Sequence, residues 1–495
     1  MRRDYLLALS LVLALSVMPA SEAQQRNARR TSMPTGAQAT LAAPLNVVLG
    51  RPDAQGVVAN VLSVDATELY ITYGSDAAAL DRRSDTFRVK AGETVELTLS
   101  GLPADRRAYY RVWHRSPDGS ASDNAFVAMP VASFHTQRAK GSPFVFEVQG
   151  DSHPERRHQF DPALYRQTLA AVAADRPDFY ILMGDDFSVD TLREVSAERV
   201  ADLYVAQRAF LSPLAQGSPL FLVNGNHEQA AAANLDGTPD NVAVWAQRAR
   251  NRYFPQPAPD GFYSGNAEAV THIGLLRNYF AWTWGDALFV IIDPYWHSSG
   301  PVDNPFQSRA KGSGGGWGIT LGDAQYRWLA QTLTNSRARY KFVFSHHVLG
   351  TGRGGIEQAH LYEWGGRGKN SADEFTRYRP DWALPIHPLM VKTGVTAFFQ
   401  GHDHVFARQE LDGITYQTVP QPADPNYTLN YSNAYRSGDI VPNSGRLRVS
   451  VGPERARVEY VRSWLPGAAV APHEDGEIAF AYDLRPAQPH SPPSQ

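Results

Sequence analysis

Five apolar runs in this chain each stop at residues able to bind a metal or carry a proton, and that recurrence constrains the fold more than any other feature. The last run, Thr396-Ala397-Phe398-Phe399, leads into Gln400-Gly401-His402-Asp403-His404. Two histidines one residue apart, just past a buried strand, can each offer a neutral imidazole to a metal, and imidazole suits Zn, Fe, Ni and Cu among others. Upstream, the runs at 144–148, 179–183, 220–223 and 342–344 lead into Asp151-Ser152-His153, Gly184-Asp185-Asp186, Gly225-Asn226-His227-Glu228 and Ser345-His346-His347. A sixth run, 288–292, breaks the series with Asp293-Pro294-Tyr295. Singly, each ending has an ordinary explanation as a cap, a turn or a hydrogen-bonded loop pair. Ligands of α/β sheets gather beyond the carboxyl ends of the strands, so five such ends in order predict one shared site.

Between the runs, helical spacing predicts helices over 162–174, 195–211 and 322–333. Strands alternating with helices indicate an α/β core with buried strands. Further strands are expected at 414–419, 446–451 and 457–460, closing a sheet edge, and residues 351–381, rich in Gly, Arg and aromatics, are expected to form an active-site rim. The region before the core has a different grammar. Leu69, Ile71 and Tyr73 alternate with polar residues, as do Val95, Leu97 and Leu99, then Tyr110 and Val112, with turn signals between them. Period two at that spacing predicts a small all-β sandwich over 44–138. His114 and His135 fall in it and are expected on its surface.

The amino terminus carries an address. Arg2-Arg3 precede an apolar run from Leu6 to Met18, and Ser21-Glu22-Ala23 supplies a small-residue cleavage site. Residues 1–23 read as a cleaved signal peptide, with a loose twin-arginine character, and 24–43 as a linker. The run is too short for a comfortable bilayer span. A periplasmic or secreted protein is expected, with no membrane span once the signal is removed. The chain has no cysteine, so any metal must rest on His, Asp, Glu and Asn. Its net charge of -3 shows no electrostatic footprint for nucleic acid. Residues 466–495 read as a carboxyl-terminal extension with a Pro-rich tail.

Taken together, the strand-end motifs D-x-H, G-D, G-N-H-E, H and G-H-x-H over 143–465 resemble the calcineurin-like metallophosphoesterases. The segment Leu99 to Pro103 with Tyr109-Tyr110-Arg111-Val112 is similar to the fibronectin type III-like domain that precedes the catalytic domain of purple acid phosphatases. The resemblance implies a four-layer αββα sandwich with two metal ions at one end, Mn, Zn, Fe or Ca. By motif position the first ion would be held by Asp151, His153, Asp185 and His404, and the second by Asp185, Asn226, His346 and His402, with Asp185 bridging. His346 is favoured over His347 on the same ground. The implied reaction is hydrolysis of small phosphate esters by a metal-bridging hydroxide: a phosphomonoesterase for phosphate scavenging, or a phosphodiesterase. A non-catalytic binding protein acting through the sandwich is the contrasting expectation.

The chemistry suits those residue types. Two divalent ions about 3.5–4 Å apart acidify a bound water and clamp phosphoryl oxygens. Their mutual repulsion calls for a carboxylate between them, the place given to Asp185. His227 follows a ligand and is placed to give a proton to the leaving oxygen, and Glu228 to orient that region from behind. Ser188 stands where purple acid phosphatases carry a tyrosine ligand, so tyrosinate-to-iron colour is not expected. Asp186 is expected behind the ligands or in solvent, and Tyr295, Trp296, Arg353, Trp364 and Arg367 as candidate substrate contacts. His360 and His387 receive no role.

Overall fold

The computed structural model describes residues 44–117, 125–300, 315–348, 352–468 and 472–486; the expected signal peptide, linker and tail beyond 486 lie outside them. Side chains along the strands that lead to the predicted loops are apolar on both faces. Phe179, Ile181 and Met183 enter one core while Tyr180 and Leu182 enter another, and a strand of that kind has to be covered on both sides.

Two sheets provide the cover for each other. The first orders its strands as Leu220–Leu222, Phe179–Leu182, Phe144–Gln149, Gly445–Val451, Ala456–Arg462 and Ile478–Leu484, the first three parallel and the rest antiparallel. The second runs Ser264–Gly265, Phe280–Trp284, Ala287–Ile291, Tyr340–Phe344, Ala397–Gln400, Ile414–Thr418, Phe406–Leu411 and Asp439–Val441. Its four strands from Ala287–Ile291 to Ile414–Thr418 are parallel. The facing surfaces interdigitate through Phe146, Phe179, Trp282, Phe289, Phe344 and Phe399, with Phe146 edge-on to Phe289 at 5.0 Å between ring centroids.

Helices cover the outer faces. Pro162–Asp175, Ala197–Ala215 and Val242–Tyr253 close the first sheet, and Gly322–Asn335 with Ile386–Lys392 close the second. The first three begin at Asp161, Ser196 and Asn241, whose side chains accept from the first-turn N–H groups. The result is the expected four-layer αββα sandwich. Among the described residues no helix is long and apolar enough to cross a membrane.

An all-β sandwich precedes it. One sheet pairs Leu45–Gly50, Val57–Ser63 and Thr94–Leu99; the other is built on Thr67–Gly74 and Arg107–Arg115. The two close over Leu49, Val61, Leu69, Ile71, Leu97 and Phe134. Its outer face docks on the helix layer around one buried side chain, Arg208. Arg208, from the helix Ala197–Ala215, donates to the side chains and carbonyls of Asn46 and Asn60 and to the Tyr253 carbonyl. Val48 and Leu62 of the sandwich join the helix core beside it.

Several expectations change. The strand Gly445–Val451 lies in the middle of the first sheet and not at its edge, because it pairs with Phe144–Gln149 on one side and Ala456–Arg462 on the other. The sheet continues past residue 465, since Ile478–Leu484 adds the true edge strand. His135 is buried, not exposed: its strand ends at the seam between domains, where Nδ1 lies 3.8 Å from Asp178. Residues 361–379 mostly pack outside the second sheet, with Trp364 against Phe398, so only the start of the 351–381 segment reaches the loops.

Replacing Arg208 strips five buried oxygens of their donor. At about 1–3 kcal/mol for each group left unsatisfied, relieved in part by water, Arg208→Met is expected to lower unfolding stability by about 3 kcal/mol or more. The urea midpoint checks this, and an unchanged midpoint would mean that apolar contact alone holds the domains.

Candidate metal centre

The parallel registers Phe146↔Phe179, Tyr180↔Leu220 and Phe344↔Phe399 set the carboxyl ends of these strands level with one another. The five loops that follow therefore meet at one end of the sandwich. Asp151, His153, Asp185, Asn226, His346, His402 and His404 are all at most 4% exposed. Four of them take left-handed backbone, at φ of 46° for His153, 52° for Asp185, 67° for His402 and 50° for His404. Such conformations cost about 1 kcal/mol or more each outside glycine and gather at functional sites. Two glycines let the loops close up: a Cβ on Gly225 would lie 2.2 Å from Asp185 Oδ1, and one on Gly401 2.6 Å from Asp151 Oδ1.

The side chains form three groups. Asp151, His153 and His404 bring their ligand atoms within 4.8 Å of one another, so do Asp185, His346 and His402, and the third, His153, Asp185 and His227, shares a residue with each of the other two. Asp185 lies between the first two, its Oδ2 3.1 Å from His346 Nε2 and 3.7 Å from His153 Nε2. Its Oδ1 accepts the His227 N–H at 2.8 Å, and Asp151 Oδ1 accepts the His402 N–H at the same distance, so each carboxylate is aimed by backbone.

The imidazoles are aimed as well. His346 Nδ1 meets the Met183 carbonyl at 2.7 Å, and since a carbonyl only accepts, the proton sits on Nδ1 and Nε2 faces the cluster. His153 Nδ1 meets Glu155 at 2.9 Å, and Ser188 Oγ donates to the same carboxylate at 2.6 Å. His227 Nδ1 meets Asp190 at 2.7 Å, and its Nε2 accepts from Arg156 at 2.8 Å. Partners of this kind fix ring orientation and raise ligand basicity. Glu155, Asp190 and Arg156 carried no periodic or motif signal. Only the adjacency of Glu155 and Arg156 to Asp151-Ser152-His153 hinted at them.

Behind the ligands, Glu228 accepts from the Gly225 and Asp186 N–H groups and so ties two loops together. Asp186 is buried, not in solvent. Burial, with Glu228 and Asp151 nearby, pushes its carboxyl well up, and its Oδ1 accepts from the side-chain amides of Gln149 and Gln207. Asp403 accepts from the Gly354 N–H, Arg353 and the Tyr435 hydroxyl. Arg353 also donates to the His402 carbonyl and stacks 3.9 Å over Tyr431, whose ring stands 6.0 Å from His404.

Of the candidate substrate contacts, Arg353 lies at the rim and Tyr295 is buried beside the His346 ring. Trp296 and Trp364 are core residues, Trp364 donating to the Tyr416 hydroxyl. Arg367 is exposed on the outer segment. His347 is buried with its ring 4.7 Å from that of His402. His387 spans Tyr416 and Asp412, and His360 is exposed, so neither joins the cluster.

The donor set fits a divalent ion. His153 Nε2, His404 Nδ1 and Asn226 Oδ1 are buried polar atoms without a hydrogen-bond partner among the described residues, an arrangement that is costly unless something else satisfies them. All donors are nitrogen or oxygen, as borderline and hard cations require.

Without an ion the cluster binds protons instead. Burial disfavours charge on His346, but Asp185 and Asp151 outweigh it and lift its pKa from 6.5 to about 10. That raised value contributes stability present below about pH 6.5 and lost as pH rises towards 10, so the metal-stripped protein is expected to lose stability over that window. Melting temperatures of the stripped protein from pH 6.5 to 10 check this, and a flat or rising profile would contradict it. Metal uptake is expected to release protons, read by calorimetry in buffers of different ionisation enthalpy, with affinity falling as pH falls.

The solved structure of PhoD is 15% identical to this chain, covers 89% of it and 90% of that chain, and superposes with a TM-score of 0.63. The purple acid phosphatase PPD1 from yellow lupin (Lupinus luteus) seeds is 13% identical, covers 89% and 74%, and gives a TM-score of 0.54. At these identities the likeness bears on the fold. No curated protein compared with the chain matches it. The model of the family described as Calcineurin-like phosphoesterase matches residues 146–406, more than half of the chain. The chain belongs to that family and is a metal-dependent phosphoric ester hydrolase.

Proposed function

We propose that this chain is an exported phosphomonoesterase working on small phosphate esters with two metal ions. The observation that carries the reading is the position of Asp185, whose Oδ2 lies within 4 Å of imidazoles from both ligand groups. Asp151, His153, Asp185 and His404 would hold one ion, and Asp185, Asn226, His346 and His402 the other. Bound there, the pair supplies positive charge for the phosphoryl oxygens and an acidified water.

The chain's own groups do the rest. Asp190 holds the His227 ring by Nδ1, which leaves Nε2 to carry a proton to the leaving oxygen. Burial and Arg156 work against charge on that ring, but Asp185 and Asp190 outweigh them and raise its pKa to about 9, so the ring, neutral while Arg156 donates to Nε2, can take up a proton there at neutral pH once that contact is released. Arg156 occupies Nε2 in this structure and would yield it to the bound ester. Two guanidiniums, Arg156 and Arg353, flank the cluster, and that charge supports a dianionic monoester over a monoanionic diester. Export rests on the amino-terminal sequence, Arg2-Arg3 with the apolar run behind it.

The test is turnover of p-nitrophenyl phosphate and bis-p-nitrophenyl phosphate after loading with Mn, Zn, Fe or Ca. Monoester turnover well above diester turnover is expected; the reverse order would make the chain a phosphodiesterase. Asp185→Asn is expected to lose both activity and metal content. His227→Ala is expected to keep its metal while kcat/KM for alkyl phosphates falls about 10²–10⁴-fold. In the wild type the rate is expected to fall as pH rises and His227 loses its proton, and that fall should be absent in the variant. Unchanged turnover of alkyl phosphates would remove the acid role.

A further inference from the structure

Arg156 stands three residues beyond His153 on a loop of consecutive turns. Its N–H donates to the His153 carbonyl at 2.9 Å, and its own carbonyl accepts from Gln159 at 2.8 Å. The loop is anchored further along, where the Asn426 side chain donates to the His158 carbonyl and the Asp161 N–H to the Ala423 carbonyl. The side chain therefore starts from a defined backbone position and is 26% exposed. A guanidinium has no lone pair to offer, so at 2.8 Å it donates to His227 Nε2. That nitrogen is 3.9 Å from Asp185 Oδ2. A fixed cation is thus held at the lip of the cluster, where the charge of a phosphate ester would arrive. Its nearest carboxylate is Glu155 at 3.7 Å, already engaged by His153 and Ser188.

We propose that Arg156 is a substrate-binding residue which takes the peripheral oxygens of a dianionic phosphoryl group and so makes the site prefer phosphate monoesters to diesters. The proposal rests on the phosphoesterase reading above and assigns its selectivity to one side chain. A guanidinium offers parallel N–H groups that match two phosphoryl oxygens. A monoester presents three peripheral oxygens and two charges. A diester replaces one of those oxygens with an ester linkage and carries a single charge, so it forfeits both an acceptor and Coulomb attraction. Arg353 is held by the His402 carbonyl, Asp403 and the Tyr431 ring. Arg156 gives up one hydrogen bond, to a ring nitrogen, and its Nε stays 3.7 Å from Glu155.

The metal-loaded wild type is compared with Arg156→Gln and Arg156→Lys. In the Gln variant, kcat/KM for p-nitrophenyl phosphate is expected to fall about 10–100-fold, the scale of a charge-assisted hydrogen bond, mostly through KM. For bis-p-nitrophenyl phosphate the fall should stay within about threefold. Lysine should recover part of the loss, and orthophosphate binding by calorimetry should weaken in parallel with monoester turnover. Metal content and melting temperature should not change. Equal losses on both esters, a larger loss on the diester, or no loss would overturn the assignment. A wild type that hydrolyses neither ester would overturn the function above. Orthophosphate titration then decides Arg156 alone, and equal affinity in wild type and Arg156→Gln would overturn it.

Discussion

Two carboxylates, Asp151 and Asp185, are buried at the end of the sandwich, and the rest of the active end is arranged around the cost of putting them there. An isolated ionised carboxylate out of water is prohibitively expensive. Here burial tends to raise both pKa values, but the imidazoles around them outweigh it and hold both acids below the usual carboxylate range. The same concentration of negative charge among nitrogen donors is what a divalent cation needs. Charge compensation and metal capacity are one property of the site, reached through protons in one state and cations in the other.

Holding these groups still is the work of the layers beneath. Edge-to-face aromatic packing between the sheets, from Phe146 and Phe179 to Phe289 and Phe399, leaves the strands little freedom to slide. Their ends emerge at fixed heights, and short loops with left-handed residues turn the ligands inward. Backbone N–H groups then orient the carboxylates, while Met183, Glu155 and Asp190 orient the rings. Glu228 and Asp403 play matching parts on opposite sides: each is a buried carboxylate that ties a ligand loop to a neighbouring segment. A site built this way binds with little reorganisation, the condition for electrostatic catalysis.

The amino-terminal sandwich belongs to the same rigid arrangement. Arg208 reaches from the helix layer into its first sheet and satisfies the polar edges of Asn46 and Asn60. The Tyr110 hydroxyl donates to the Gln216 carbonyl at 2.8 Å and Asn60 donates to the Arg252 carbonyl at 3.0 Å, which adds contacts at both ends of that interface. The domain thus packs against helices that carry no ligand.

Much of this was legible in the residues. Ligands in such a fold stand where strands stop, and strands apolar on both faces announce their own ends, so Asp151, Asp185, His346 and His402 could be found by reading where the apolar runs ceased. Residues that act through neighbours left no comparable mark. Asp190 reaches His227 from a short 3-10 turn at Val189–Thr191, and Arg156 reaches the same ring from a loop, because tertiary packing sets those turns and no periodicity encodes it. Trp296 and Trp364 misled for the converse reason: a tryptophan near a glycine-rich segment has the same composition whether it faces solvent or core. The amino-acid sequence alone determined which residues can bind metal and in what order they arrive at one end of a sheet, since that follows from hydrophobic period and side-chain chemistry. Only the tertiary structure decided which imidazole nitrogen faces inward, which carboxylate lies between the two groups and which cation guards the entrance, since those depend on how separate loops pack against one another.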